Sequence, residues 1–199
     1  IDDRSVSPRF ILGKISRLKN NCITPRAAAD AAVGYSEQEL VNIYKSYQKA
    51  LTDQDAMDFD DLIMMTVLLF KSVPEILQKY QNMFRYYLID EFQDTNASQF
   101  DLVKMLAEKS GNIFAVGDDD QSIYSWRGAQ VKNILSFENE FKNTRVFKLE
   151  QNYRSTKKIL DFSNAVISEN ANRAPKELWS ERLTGDAVAV TRYRDDRQE

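Results

Sequence analysis

Tyr86-Tyr87-Leu88-Ile89-Asp90-Glu91-Phe92-Gln93-Asp94 and, after a helix-like interval, Ile113-Phe114-Ala115-Val116-Gly117-Asp118-Asp119-Asp120-Gln121-Ser122-Ile123-Tyr124-Ser125-Trp126-Arg127-Gly128 decide how this chain folds. Twice an apolar run ends abruptly in carboxylates, and the second time aromatic and basic residues follow at once. Parallel strands covered on both faces read as unbroken apolar runs. Ligands of such sheets gather at the carboxyl ends of the strands. The two runs, over residues 85–90 and 113–117, therefore read as two strands feeding one site.

Outward from this stretch the pattern alternates. Phe100, Val103 and Leu106 keep helical spacing between the strands, and Ser110-Gly111 supplies a stop. Downstream the spacing predicts a helix over 131–137, a strand over 145–149, a helix bearing Ile159, Leu160, Phe162, Val166 and Ile167 capped by Ser155, and a last strand over 187–193. Upstream, Ser36-Glu37-Gln38-Glu39 has the form of a capping box. Leu40, Tyr44, Tyr47 and Leu51 then follow along one helical face, an aromatic stripe that reads as core. Asp58-Phe59-Asp60-Asp61 precedes the apolar run 62–70, and acids there cap a helix and complement its dipole. Pro74 suits the first turn of the next helix. Residues 1–35, broken by Pro8 and Pro25, read as short helices and loops. Strands alternating with helices give an α/β fold with a mainly parallel sheet.

Composition narrows the function. The 199 residues are 43% hydrophobic and 29% charged, as in ordinary globular proteins, and suffice for one or two domains. No apolar run approaches the roughly 20 residues of a membrane helix, and the first residues do not form a secretion signal. An opening without Met reads as a piece of something longer. The single cysteine, Cys22, excludes an internal disulfide and fits a reducing, cytoplasmic setting. The absence of histidine excludes His-based triads and His-containing zinc sites. A net charge of −3 argues against a simple electrostatic nucleic-acid binder. Six basic residues from Lys142 to Lys158 stand against one acid, Glu150, a run that alone reads as a solvated face.

Three segments carry chemistry. A strand-end Asp90 suits a magnesium ion, which takes one or two carboxylates beside phosphate oxygens and waters, and the adjacent Glu91 suits the activation of water. Alone, such a pair is a weak signal, and a solvated turn is its commoner explanation. Gln121 is of the type that positions water or senses a γ-phosphate. Tyr124, Trp126 and Arg127 crowd a loop, where rings stack on single-stranded bases or else plug a core gap. Arg154 follows the strand at 145–149 and has the place of an arginine finger, with a surface ion pair as its plain alternative.

Together these segments resemble the superfamily 1A DNA helicases of the UvrD/PcrA/Rep type. Residues Asp90-Glu91-Phe92-Gln93-Asp94-Thr95-Asn96 match motif II, 117–129 match motif III, and Gln151-Asn152-Tyr153-Arg154-Ser155-Thr156 match motif IV. Asp58-Phe59-Asp60-Asp61-Leu62-Ile63 is also similar to a family segment. The resemblance implies RecA-like motor domains and an ATP-dependent 3′-to-5′ helicase. By that resemblance such an enzyme would translocate on single-stranded DNA, open single-strand/duplex junctions, and serve repair or replication. The resemblance assigns magnesium to Asp90, water activation to Glu91, the γ-phosphate to Gln121 and Arg154, and the adenine to Tyr153. Tyr124 and Trp126 would stack on DNA bases, with Arg127 near the backbone or in a supporting ion pair. Residues 1–57 would end a helical accessory insertion, 58–149 complete the first motor domain, and 150–199 begin the second. No Gly-x-x-x-x-Gly-Lys-[Ser/Thr] is present, since Gly13-Lys14 lacks the earlier glycine and runs into Ile15. Without that cradle, these residues alone should not turn over ATP. Two rivals remain: a non-catalytic DNA- or protein-binding module of helicase ancestry, and the helicase part of a RecB/AddA-like helicase-nuclease. The latter usually carries Pro-Lys where Asp119-Asp120 stand.

Overall fold

Five helices precede the first strand in the computed structural model, which describes residues 7–195 and 197: α1 (Pro8–Asn20), α2 (Pro25–Ala31), α3 (Tyr35–Asp53), α4 (Phe59–Ser72) and α5 (Pro74–Met83). Then come β1 (Tyr87–Ile89), α6 (Ala97–Ala107), β2 (Ile113–Ala115), α7 (Lys132–Leu135), α8 (Phe137–Glu140) and α9 (Lys157–Ile167). The chain divides into two compact units, up to residue 137 and from 138 onward.

In the first unit, β1 and β2 pair in parallel, Tyr87 beside Ile113, Leu88 beside Phe114 and Ile89 beside Ala115. Two parallel strands need a crossover, and α6 supplies it. Its start is fixed by Asn96, whose side chain accepts the Gln99 amide while Gln99 reaches back to Asn96 N–H. The fold is thus α/β with parallel pairing. The strands are shorter than the apolar runs, and burial on both faces holds for one face only: Leu88 and Phe114 are exposed, while Tyr87, Ile89, Ile113 and Ala115 are half-buried.

The helices before β1 build their own core from Ile15, Ala28, Val41 and Tyr44. Tyr44 is wholly buried and gives its hydroxyl to the Ile23 carbonyl, as the aromatic stripe predicted. The capping box at Ser36 does not form. Gly34, at φ 113°, lets α3 begin at Tyr35, so Ser36 already lies in the first turn and Glu37 accepts from the Val33 amide. Asp58 does cap α4, with Asp61 completing the box. A further partner comes from 39 residues away: the buried Lys19 Nζ lies 2.6 Å from Asp58 and 2.9 Å from Asp61. Burial works against the Asp58 carboxylate, but Lys19, the Asp61 amide and the Tyr47 hydroxyl outweigh it and hold its pKa below the ordinary value.

The predicted strands at 145–149 and 187–193 do not form. A strand needs a neighbour for its amides and carbonyls, and among the described residues of the second unit the pairing is one parallel bridge, Gln151 to Trp179. Phe147 and Leu149 stay exposed. The helix there is present as α9, with Thr156 rather than Ser155 at its N-cap.

Candidate functional site

At the end of β1 the backbone turns sharply. Glu91 adopts φ 49° and ψ 43°, left-handed for a residue with a Cβ, a conformation that persists only where the surroundings enforce it. Asp90 Oδ1 accepts the Glu91 amide at 2.9 Å. Both side chains are exposed, and they line a cavity of about 350 Å³ with Ile89, Asp94, Thr95 and Gln99. Asp94 Oδ1 is buried without a hydrogen bond. Three carboxylates at one cavity mouth, one with an unanswered oxygen, fit the hard-oxygen preference of magnesium.

The end of β2 closes against this turn. Val116 N–H donates to Ile89 C=O, and Phe92 N–H donates to Val116 C=O. Gly117 follows, and a Cβ there would lie 2.5 Å from Gln93 Oε1 and 3.1 Å from Phe92 N. Only glycine lets the two strand ends approach so closely. Asp118 then accepts from the Asp120 amide at 3.0 Å and from Gln121 Nε2 at 2.7 Å. Gln121 is thereby tethered at the rim of the β2 loop.

Four residues past Asp120 the same loop presents its rings. Trp126 is 65% exposed, which removes the reading of a core plug. Tyr124 lies 6.3 Å from it, and the Arg127 guanidinium sits 4.6 Å over Trp126 and 5.1 Å over Tyr124. Arg127 thus orders the rings from one side, leaving an exposed aromatic platform. Gly128, at φ 89°, turns the chain away.

In the second unit, Asn152 Oδ1 accepts the amides of Arg154 and Ser155 at 2.9 and 2.7 Å, a turn that leaves Tyr153 and Arg154 exposed. Tyr153 gives its hydroxyl to Gln151 Oε1 at 2.8 Å. The Arg154 carbonyl accepts from the Arg182 guanidinium.

The UvrD/REP helicase N-terminal domain family matches residues 1–142, and the UvrD-like helicase C-terminal domain family matches 147–199. This chain belongs to the UvrD-like helicases. The ATP-dependent DNA helicase PcrA of Bacillus subtilis (strain 168) is 50% identical over 198 residues, covering 100% of this chain and 26% of that protein. PcrA of Staphylococcus aureus (strain Mu50) is 48% identical over 199 residues, 27% of its length. The chain therefore spans about a quarter of these relatives.

Sequence reasoning left three residues of this UvrD-like site without a role. Gln93, 1% exposed, stands between the two strand ends. Asn133 Nδ2 donates to the carbonyl and hydroxyl of Thr95, tying α7 to the turn after Asp90-Glu91. Asn20, at the end of α1, accepts from Asn96 at 2.8 Å and donates to the Arg127 carbonyl. Gly117 was the available signal for Gln93, because a glycine at a strand's end implies a close neighbour. Asn20 gave none, since its partners lie 76 and 107 residues away.

Proposed function

We propose that the protein is an ATP-dependent DNA helicase that moves 3′-to-5′ on single-stranded DNA and opens single-strand/duplex junctions, in DNA repair or replication in the cytoplasm. Family membership supports the reading, as do relatives named ATP-dependent DNA helicases. The observation that carries it is one loop, 117–128, whose start is bonded to the Asp90-Glu91 turn and whose end exposes Tyr124 and Trp126. A hydrolytic centre and an aromatic platform are thereby mechanically joined. Nothing in a simple binding module calls for that.

In this reading Asp90 holds magnesium, with Asp94 beside it, and the ion would neutralise phosphate charge when bound. Glu91 takes the proton of the attacking water. Gln121 and Arg154 address the γ-phosphate, Tyr153 lies on the adenine, and Tyr124 and Trp126 stack on bases with Arg127 bracing them. Residues 1–57 are assigned to the accessory insertion, 58–149 to the first motor domain and 150–199 to the second. Among the described residues no helix is long and apolar enough to cross a membrane. The 199 residues contain no phosphate-cradling Gly-x-x-x-x-Gly-Lys-[Ser/Thr], so the isolated chain is expected to lack DNA-stimulated ATPase.

The test is Glu91→Gln in the full-length protein. ATP binding should persist while DNA-stimulated turnover drops by roughly 10²–10⁴-fold, the range of a lost general base. Undiminished turnover would sink the assignment.

A further inference from the structure

We infer that Gln93 is a positioning residue that transmits DNA occupancy of the aromatic loop to Glu91, an inference that rests on the helicase reading above. Its side-chain amide makes three hydrogen bonds. Nε2 donates to Glu91 Oε2 at 2.8 Å and to Asp94 Oδ2 at 3.3 Å, while Oε1 accepts the Asp118 amide at 3.0 Å. A primary amide has two N–H donors, and both are spent on carboxylates. The neighbours also fix which end is which. Two carboxylates can only accept and a backbone N–H can only donate, so the flipped amide would face repulsion on both sides.

The main chain reinforces the link, because the Gln93 carbonyl accepts from Ser122 Oγ at 3.4 Å. One buried residue therefore touches the water-activating carboxylate at one end. It also touches the second and sixth residues, Asp118 and Ser122, of the loop that carries Tyr124 and Trp126. Gly117 marks the same constraint independently, since the Cβ of any other residue would fall on Gln93 Oε1 and on the Ile134 side chain. A loop displaced by DNA must drag the Gln93 oxygen with it. The Nε2 donor on Glu91 then moves with it, and the carboxylate held by that donor is re-aimed.

Gln93 carries no proton in the reaction and touches neither nucleotide nor DNA in this scheme. Its loss should therefore lower the response to DNA more than the capacity to bind. The experiment compares full-length wild type, Gln93→Met, Gln93→Glu and Gly117→Ala for ATP turnover with and without saturating single-stranded DNA, and Glu91→Gln serves as the control. Methionine fills the volume without hydrogen bonds. Ionised glutamate keeps an acceptor for the Asp118 amide but cannot donate to Glu91 or Asp94. In Gln93→Met and Gln93→Glu the ratio of DNA-stimulated to DNA-independent turnover should fall at least about tenfold, while KM for ATP stays within about twofold. Gly117→Ala should move the ratio the same way. A stimulation ratio at the wild-type level in either Gln93 variant overturns the inference, provided Glu91→Gln abolishes turnover. Should Glu91→Gln leave turnover intact, the helicase reading falls instead. If Gln93→Met does not fold, Gln93→Glu, nearly identical in shape, decides alone.

Discussion

Two of the cations lying over aromatic rings in the first unit each face a pair of rings, and they differ in burial and in ion pairing. Lys19 Nζ is 5.0 Å over Tyr47 and 6.0 Å over Tyr44. Arg127 is 4.6 Å over Trp126 and 5.1 Å over Tyr124. The Lys19 side chain is fully buried and its ammonium is held by Asp58 and Asp61. Trp126 is mostly in solvent. Such contacts contribute about 0.5–1 kcal/mol when exposed and about 2 or more when desolvated. The first group is thus a fixture between α1 and α4, while the second holds rings that still offer open faces. Burial and ion pairing separate the fixture from the rings left open.

The largest expected effect is on the buried side. Lys19→Met leaves two carboxylates facing each other, one wholly buried, and should destabilise the first unit by about 3–5 kcal/mol, read as a lowered denaturant midpoint. A loss below about 1 kcal/mol would mean that the pair behaves like a surface bridge, and the contrast would collapse. Trp126→Ala probes the other side. Single-stranded DNA binding should weaken by about 1–3 kcal/mol, with stability within about 0.5 kcal/mol of wild type. Unwinding should suffer more than DNA-independent ATPase, and equal losses would count against stacking.

Smaller still is Tyr47→Phe, which removes the 2.9 Å hydrogen bond to Asp58 and should cost about 1 kcal/mol at neutral pH. It carries a pH signature. Burial first, then the hydrogen bond and charge of Asp58, push the Tyr47 phenol up to about 12. Its folded pKa exceeds the unfolded value of about 10, so its stabilisation is present below about pH 10 and lost as pH rises toward 12. Thermal melts across that window should fall steeply in wild type and less steeply in Tyr47→Phe. Asp58 acts oppositely. Its lowered pKa stabilises above the ordinary carboxylate range and is lost as pH falls through the folded value.

The sequence showed what is local. The apolar runs before Asp90 and Gly117 announced the paired strands, and Asp58 with Asp61 announced a helix start, because these signals lie within a few residues of their effect. It misled where a local pattern had a near competitor, as at Ser36, where Gly34 begins the helix first. It also misled at 145–149, where apolar content promised a strand but no ladder partner lies alongside among the described residues. Long-range polar contacts stayed hidden. Nothing in Asp58-Phe59-Asp60-Asp61 says that Lys19 will complete it, and nothing in Gln93 says which of its neighbours it will bind.

Asn20 has a consequence for anyone exchanging parts between UvrD-like helicases. It holds the end of α1 to Asn96 and to the Arg127 carbonyl, one residue after the Lys19 fixture. A chimera that replaces the first two dozen residues with those of a distant homologue changes both attachment points at once. Such a swap alters the seating of the aromatic loop while leaving every residue of that loop intact, so chimera phenotypes that look like DNA-contact defects need not map to DNA contacts.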